Sequence, residues 1–300
     1  MTIGSPRARS LRFGWLFSLA FTVALLLPRP AAATWSIILT DSETREVAIG
    51  SATCVTGIDL KRLASVVVVT LGAGAAQSSV DVTGENRMLI FEELMAGTDP
   101  ALILLKLAEQ DPGHQSRQYG IVDTVERAAG FTGSFAGGFA DHLTGGTGTI
   151  TYAIQGNLLT GEPVLTAAET AILTEGRDLP SKLMQAMLAA REMGGDGRCS
   201  CAPGNPEGCG SPPPEFEKSA HVGYMVVARL GDVDGGCNAA IGCASGDYYM
   251  DLNVAFQGSN DDDPVLQLFE AYDLWRQDLV GHPDHHLSTM SLLDPVPPAD

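Results

Sequence analysis

Apolar runs broken by polar turns predict β-strands in the first part of the chain. Residues 35–40 and 46–54 are two such runs around a short polar segment, a pattern typical of a β-hairpin. Residues 65–71 form a nearly continuous β-branched run, typical of a strand that is buried on both faces. Gly72 and Gly74 follow this run, and we expect them to end the third strand.

Apolar residues at helical spacing alternate with further β-rich runs over the rest of the chain. The predicted helices cover residues 86–96, 100–110, 163–174, 180–193 and 264–279. The predicted further strands cover residues 118–125, 128–132, 149–154, 220–230 and 248–256. Strands and helix pairs therefore come in blocks. This order favours an α+β protein with helices packed on antiparallel sheets over a parallel βαβ array.

The first 33 residues have the pattern of a secretory signal peptide. Three arginines within residues 7–12 precede an apolar run over residues 13–27, and residues 31–33, all alanine, suit signal peptidase cleavage. The alternative is a retained membrane anchor, but the run is shorter than the roughly 20 residues that span a bilayer. We therefore predict an exported protein, periplasmic or extracellular. Residues 34–280 would form a single domain, followed by a disordered tail over residues 281–300.

The chain is acidic, with a formal net charge of −18 at pH 7. Removal of residues 1–33 takes away four arginines and changes this charge to −22. Affinity for nucleic acid comes largely from basic side chains that neutralise phosphates, so we expect no nucleic-acid partner. The charge is typical of a solvated surface. We expect no stable membrane anchor after cleavage, while an oligomer is possible.

Six cysteines follow the predicted signal peptide: Cys54, Cys199, Cys201, Cys209, Cys237 and Cys243. All except Cys54 lie in a segment rich in Gly and Pro. An even number in an oxidising compartment predicts disulfides, with most pairing inside residues 199–243. A zinc site is the competing interpretation. The spacing lacks paired C-x2-C motifs, so we expect disulfides rather than a metal site, and no cofactor.

Cleavage after Ala33 would leave Thr34 with a free α-amine, and its hydroxyl and amine together can act as nucleophile and base. The α-amine has a reference pKa of about 7.7 to 8.0, so much of it is neutral near pH 7.5 and no histidine is needed. The transition state also needs hydrogen-bond donors for its oxyanion. Residues 155–157, Gln-Gly-Asn at the end of a predicted strand, offer such donors, and Asn157 is our candidate.

Several segments, in order along the chain, carry a resemblance to a known family: Thr34-Trp35-Ser36-Ile37, Glu46-Val47-Ala48-Ile49-Gly50-Ser51, Asp111-Pro112, Arg117-Gln118-Tyr119-Gly120-Ile121-Val122-Asp123, Phe131-Thr132-Gly133, Ile154-Gln155-Gly156-Asn157-Leu158-Leu159 and Gly194-Gly195-Asp196-Gly197-Arg198. Over residues 34–275 the chain resembles the predicted Ntn-hydrolase family catalogued as domain of unknown function 1028. The resemblance implies a four-layer αββα sandwich with the nucleophile at the first residue of the mature chain. Residues 199–217, rich in cysteine, look like an insertion relative to this family.

Four further residues are candidates for binding substrate. Asp196 and Arg198 can hold a substrate carboxylate or the free amine, although a surface ion pair is an equal alternative. Ser51 can bond the amine, and Gln77 is a similar candidate after the predicted third strand. Polar side chains in strands more often bond only the local backbone or water.

The residues and the resemblance together predict an exported N-terminal-nucleophile amidohydrolase that cleaves an amide in a small molecule or a peptide-like substrate. Thr34 would be both nucleophile and α-amine base. The alternative is a non-catalytic exported binding protein on the same fold, since a fold by itself does not determine function.

Overall fold

A computed structural model describes residues 1, 2, 4, 34–281 and 290–291. The predicted signal peptide lies outside the described residues except for three positions, and the predicted tail lies outside them except for residues 281 and 290–291. Within the described part of the chain, no helix is both long and apolar enough to span a bilayer.

The larger of two sheets contains seven strands: β1 (Thr34–Asp41), β2 (Val47–Thr53), β7 (Phe139–Thr147), β8 (Ile150–Leu159), β9 (Val222–Ala228), β10 (Met250–Val254) and β11 (Met290–Ser291). Their order is β11-β10-β9-β2-β1-β8-β7. Neighbours are antiparallel apart from the short β10–β11 pair, which is parallel. The predicted N-terminal hairpin is therefore confirmed, and its first strand lies inside the sheet, between β2 and β8.

The smaller sheet contains four antiparallel strands, β3 (Ser65–Val68), β4 (Gly72–Ser78), β5 (Arg117–Asp123) and β6 (Ala128–Thr132), in that order. The predicted third strand ends at Val68, before Gly72 and Gly74, and both glycines lie in β4, a strand that the sequence did not predict. A Cβ atom at Gly74 would stand 3.0 Å from Ile90 Cγ2. The glycines are needed where a helix packs closely on the sheet, and this function overrides their usual tendency to break strands.

Seven α-helices occur in the described residues: α1 (Leu60–Ala64), α2 (Glu85–Met95), α3 (Pro100–Gln110), α4 (Pro163–Thr174), α5 (Leu179–Glu192), α6 (Gly197–Ser200) and α7 (Pro264–Gly281). Helices α2 and α3 pack on strands of the smaller sheet, whereas α4, α5 and α7 pack on strands of the larger one. The two sheets also contact each other, through β1 with β4 and β5 with β8. The protein is thus a mixed α/β fold with two antiparallel sheets, as expected from the order of its elements.

Successive side chains of β1 enter two different apolar clusters, because a strand points alternate side chains to opposite faces. Trp35 and Ile37 pack toward the helices of the larger sheet. Ile38 packs between the two sheets. Thr34 and Ser36 share the face of Ile38, so their side chains point toward the smaller sheet.

Three disulfides join all six cysteines: Cys54–Cys199, Cys201–Cys209 and Cys237–Cys243. The prediction that most pairs form inside residues 199–243 is confirmed. The remaining bridge ties the residue after β2 to α6 across a sequence separation of 145 residues.

Candidate active site

Thr34 is the first residue of β1 and is held between two neighbouring strands. It lies opposite Asn157 of β8, and two residues further Ser36 lies opposite both Gln155 and Ser51. The side chain of Thr34 is buried, with an exposed fraction of 1%. The start of β1 therefore lies in the interior, with amide and hydroxyl side chains on both flanking strands.

The side chain of Gln77 links the smaller sheet to the start of β1. Its Nε2 donates to the carbonyl oxygen of Thr34 at 2.8 Å, and its Oε1 accepts a hydrogen bond from Ser36 Oγ. On the other flank, Ser51 Oγ donates to the carbonyl oxygen of Trp35 at 2.6 Å. The first two carbonyls of the strand are thus fixed by buried side chains. Gln77 thus bonds the backbone of Thr34 itself, whereas Ser51 bonds the backbone of the next residue, Trp35.

The polar network continues away from Thr34 through residues that the sequence analysis did not identify. Gln77 Nε2 also donates to Gln118 Oε1 at 3.1 Å, and Gln118 Nε2 donates to Thr132 Oγ1 at 3.0 Å. Thr132 Oγ1 in turn lies 3.0 Å from His142 Nδ1. Burial lowers the pKa of His142, against the opposing charge of Asp141. The one signal in the sequence was Gln118, a polar residue directly before a run of apolar and glycine residues in β5.

Asn157 lies within β8, which continues beyond the predicted end of this strand at residue 154. Gly156 lies inside this strand, where an added Cβ atom would stand only 2.6 Å from Leu159 Cδ1. The Nδ2 group of Asn157 donates to the carbonyl of Ala136 at 3.0 Å, while its Oδ1 is buried and has no hydrogen-bond partner. An amide nitrogen carries two hydrogens, so Asn157 keeps a second donor beyond the bond to Ala136.

Two residues with left-handed backbone angles flank this cluster. Ser78, which follows Gln77, has φ 71°, and Leu158, which follows Asn157, has φ 51°. Such angles are uncommon for residues other than glycine and persist where the surrounding structure enforces them, often at functional sites. Ser78 Oγ donates to the same Ala136 carbonyl as Asn157. The strained positions thus adjoin the two amides nearest to Thr34.

Asp196, which is fully buried, and Arg198, which is half-buried, form an ion pair beside the end of β8. Arg198 Nη2 lies 2.8 Å from Asp196 Oδ2, and its Nε lies 3.1 Å from Oδ1. The backbone N–H of Cys54 donates to Oδ2 at 2.7 Å, and Asp196 forms a backbone bridge with Leu159, two residues beyond Asn157. The carboxylate thus bonds groups from the ends of β2 and α6. Asp196 therefore links the residue after β2, the last residue of β8 and helix α6.

The structure defines a class of mixed α/β protein in which two facing antiparallel sheets hold a polar cluster at the start of an inner strand. Residues 34–202 match the model of a family of unknown function, DUF1028, and the chain belongs to this family. The matched region begins at Thr34.

A solved structure of similar fold is protein SPO2555 from Silicibacter pomeroyi, which is also assigned to DUF1028. The two structures have a TM-score of 0.58 and 20% sequence identity, and the match covers 81% of this chain and 86% of the other. At this identity the likeness shows the fold alone. No curated protein matches the chain.

Proposed function

We propose that this chain is an exported N-terminal-nucleophile amidohydrolase, in which cleavage after Ala33 exposes Thr34 as nucleophile and base. The observation that carries the proposal is the position of Thr34, at the first residue of an inner strand and surrounded by the amides of Gln77 and Asn157. Such a strand holds its first residue rigidly, as preorganised catalysis requires. The family match, which begins at this same residue, supports the proposal.

The fold we propose is the four-layer αββα sandwich of Ntn-hydrolases. Helices α2 and α3 on one sheet, helices α4, α5 and α7 on the other, and contacts between the two sheets support this layering. Export is supported by the three disulfides, which form and persist in oxidising compartments.

In the proposed reaction the neutral α-amine takes the proton of the Thr34 hydroxyl as its oxygen attacks the substrate carbonyl. The second Nδ2 hydrogen of Asn157 stabilises the oxyanion of the tetrahedral intermediate. The amine then returns the proton to the leaving nitrogen, the C–N bond breaks, and an ester to Thr34 remains. Water hydrolyses this ester by the same route and regenerates the hydroxyl.

Gln77 and Ser51 act in this mechanism as positioning residues. Their bonds to the carbonyls of Thr34 and Trp35 fix the backbone that carries both reacting groups. Asp196 and Arg198 hold the ends of the neighbouring strands. An error of about 1 Å in the position of a reacting group can cost on the order of a hundredfold in rate, so these bonds bear on catalysis without contacting the substrate.

The test is covalent labelling of the exported protein with an electrophilic β-lactone, followed by peptide mapping and N-terminal sequencing. We expect a mature N-terminus at Thr34 and one acylated residue, Thr34. Labelling should increase with pH through about 7 to 8 as the α-amine becomes neutral. Thr34→Ala should abolish labelling, and Thr34→Ser should retain part of it. Thr40→Ala is the matched control on the same strand and face, and should still be labelled at Thr34.

Three outcomes would contradict the proposal. A mature N-terminus more than two residues from Thr34 removes the free amine from the nucleophile. Equal labelling of Thr34→Ala places the reactive residue elsewhere. Correctly processed protein without an adduct, against several classes of probe, favours the non-catalytic binding protein.

A further inference from the structure

Cys54, Cys199 and His221 converge outside the proposed catalytic residues. Their side chains each offer one sulfur or nitrogen atom, and these atoms all lie within 4.8 Å of one another. Within the described part of the chain this is the one group of three or more histidine, cysteine or acidic residues with that spacing. In the oxidised protein the two sulfurs are joined as a disulfide.

The backbone around all three residues is held by bonds that do not depend on the disulfide. The N–H of His221 donates to the carbonyl of Thr53 at 2.8 Å, in line with the pairing of β9 on β2. The N–H of Cys199 donates to the carbonyl of Asp196 at 3.0 Å, and the N–H of Cys54 donates to the Asp196 carboxylate. When the disulfide is reduced, these backbone bonds therefore still keep the three residues close together.

The imidazole of His221 supplies an observation that points to a ligand. Its Nδ1 is buried and has no hydrogen-bond partner. Burial lowers the pKa of His221, and the nearby charge of Lys218 lowers it further. A neutral imidazole nitrogen is a metal ligand, and a buried nitrogen without a partner costs free energy that coordination would offset.

We infer that the thiol form of the protein binds one zinc ion through Cys54 Sγ, Cys199 Sγ and His221, with water as the fourth ligand. Two thiolates and one imidazole are a donor set that suits zinc and does not suit magnesium or calcium. In tetrahedral geometry with Zn–S bonds of about 2.3 Å, the two sulfurs lie roughly 3.8 Å apart. The Cα atoms are 5.7 Å apart, so side-chain rotation is enough to separate the sulfurs by that amount.

The chemistry balances with a dithiol as reductant. The dithiol gives two electrons and two protons to the Cys54–Cys199 disulfide and becomes a disulfide itself. Each protein thiol then releases its proton as it binds zinc, so coordination of one ion frees two protons. Zinc affinity and the oxidation state of this pair are therefore linked: oxidation expels the ion, and zinc protects the thiols.

The first test uses the wild-type chain, reduced with a dithiol that is then removed, and alkylated with iodoacetamide with and without zinc. Peptide mapping should show zinc slowing alkylation of Cys54 and Cys199 by about tenfold or more, because a metal-bound thiolate is not a free nucleophile. The other four cysteines should react equally in both samples. His221→Ala should lose the selective protection, while His142→Ala, which removes a histidine from β7, should keep it.

The second test isolates the site by changing Cys201, Cys209, Cys237 and Cys243 to Ser together. The reduced variant should bind one equivalent of Co²⁺ with thiolate-to-cobalt charge-transfer absorption, and the oxidised variant should bind none. Adding His221→Ala should weaken binding by at least about tenfold. Protection of all six cysteines or of none in the wild-type experiment overturns the inference, whether or not this variant folds. Unchanged protection in His221→Ala overturns it equally.

Discussion

At the residue scale, buried polar side chains hold backbone positions through hydrogen bonds. The face of β1 toward the smaller sheet carries Thr34 and Ser36, where an ordinary inner strand carries apolar residues. Such groups cost free energy when buried without partners, and here Gln77 satisfies Ser36 Oγ and the Thr34 carbonyl together. The two glutamines of the network, Gln77 and Gln118, are also fully buried, and hydrogen bonds to neighbouring side chains satisfy them.

Asp111 shows the same use of a polar group at the junction of α3 and β5. Its carboxylate accepts bonds from Asn86 Nδ2 at 2.7 Å, the Gly113 N–H at 2.8 Å and Arg117 Nε at 2.8 Å. Burial alone would raise the pKa of Asp111, but the bonds from Arg117, Asn86 and Gly113 outweigh it and lower the pKa to about 2.

The folded-state pKa of Asp111 lies below its unfolded value of about 3.9, so the carboxylate contributes stability above pH 4 that is lost as the pH falls through about 2. We expect Asp111→Asn to lower the free energy of unfolding at pH 7 by about 2 kcal/mol and to flatten its change between pH 4 and 2. Urea unfolding at pH 7, 4, 3 and 2 measures this. Asp262→Asn, at an exposed carboxylate, should follow the wild-type profile. If Asp111→Asn loses as much free energy of unfolding between pH 4 and 2 as the wild type, Asp111 is not the source of this pH dependence.

At the element scale, glycines decide how closely helices approach the smaller sheet. Gly72 and Gly74 of β4 face the helix layer, where Leu94 and Ile90 of α2 occupy the space a Cβ would need. Helix starts, by contrast, follow local rules. Asp99 precedes Pro100 at the start of α3, and its side chain accepts a bond from the N–H of Ala101.

Gly72→Ala should destabilise the protein, because its Cβ would stand 2.5 Å from the carbonyl oxygen of Val122 and 3.0 Å from Leu94 Cδ2. Backbone cannot move aside as a flexible side chain can, and we expect a loss of about 1 to 3 kcal/mol in the free energy of unfolding. Gly176→Ala is the matched control, with nothing within 4 Å of the added carbon. Chemical denaturation of both variants should separate them. Equal stabilities would show that β4 and α2 tolerate the extra carbon.

At the scale of the whole molecule, the three disulfides close loops of very different length. Cys201–Cys209 and Cys237–Cys243 close short loops, with separations of 8 and 6 residues. Cys54–Cys199 closes a much longer loop, and the chain inside this loop includes the whole smaller sheet and helices α1 to α5. It therefore restricts the unfolded chain far more than the other two.

Paired serine substitutions test this difference. The chain-entropy relation gives a loss of about 5 kcal/mol for Cys54→Ser with Cys199→Ser, against about 2.6 kcal/mol for Cys201→Ser with Cys209→Ser. Thermal and urea unfolding under non-reducing conditions should therefore rank the long bridge well above the short one. The reverse ranking would mean that strain or residual structure in the unfolded chain outweighs loop length.

The sequence by itself determined the features that depend on neighbouring residues along the chain. β-Branched and apolar runs predicted β1, β2 and β3, since a strand buried on both faces needs such side chains at every position. Helical spacing located α3, α4 and α5 closely. The clustering of cysteines predicted that most bridges form inside residues 199–243, but not which cysteines pair.

Only the tertiary structure decided the features that depend on what packs across the chain. The glycine-rich strands β4 and β7 resemble loops locally, and become strands because a helix or an aromatic ring fills the space their missing side chains leave. Asn157 lies inside β8 because its part of that strand pairs with the start of β1. The network from Gln77 through Gln118 to His142 joins residues from both sheets, and a polar residue in a strand gives no sign of its partner until the strands are paired and the sheets are packed.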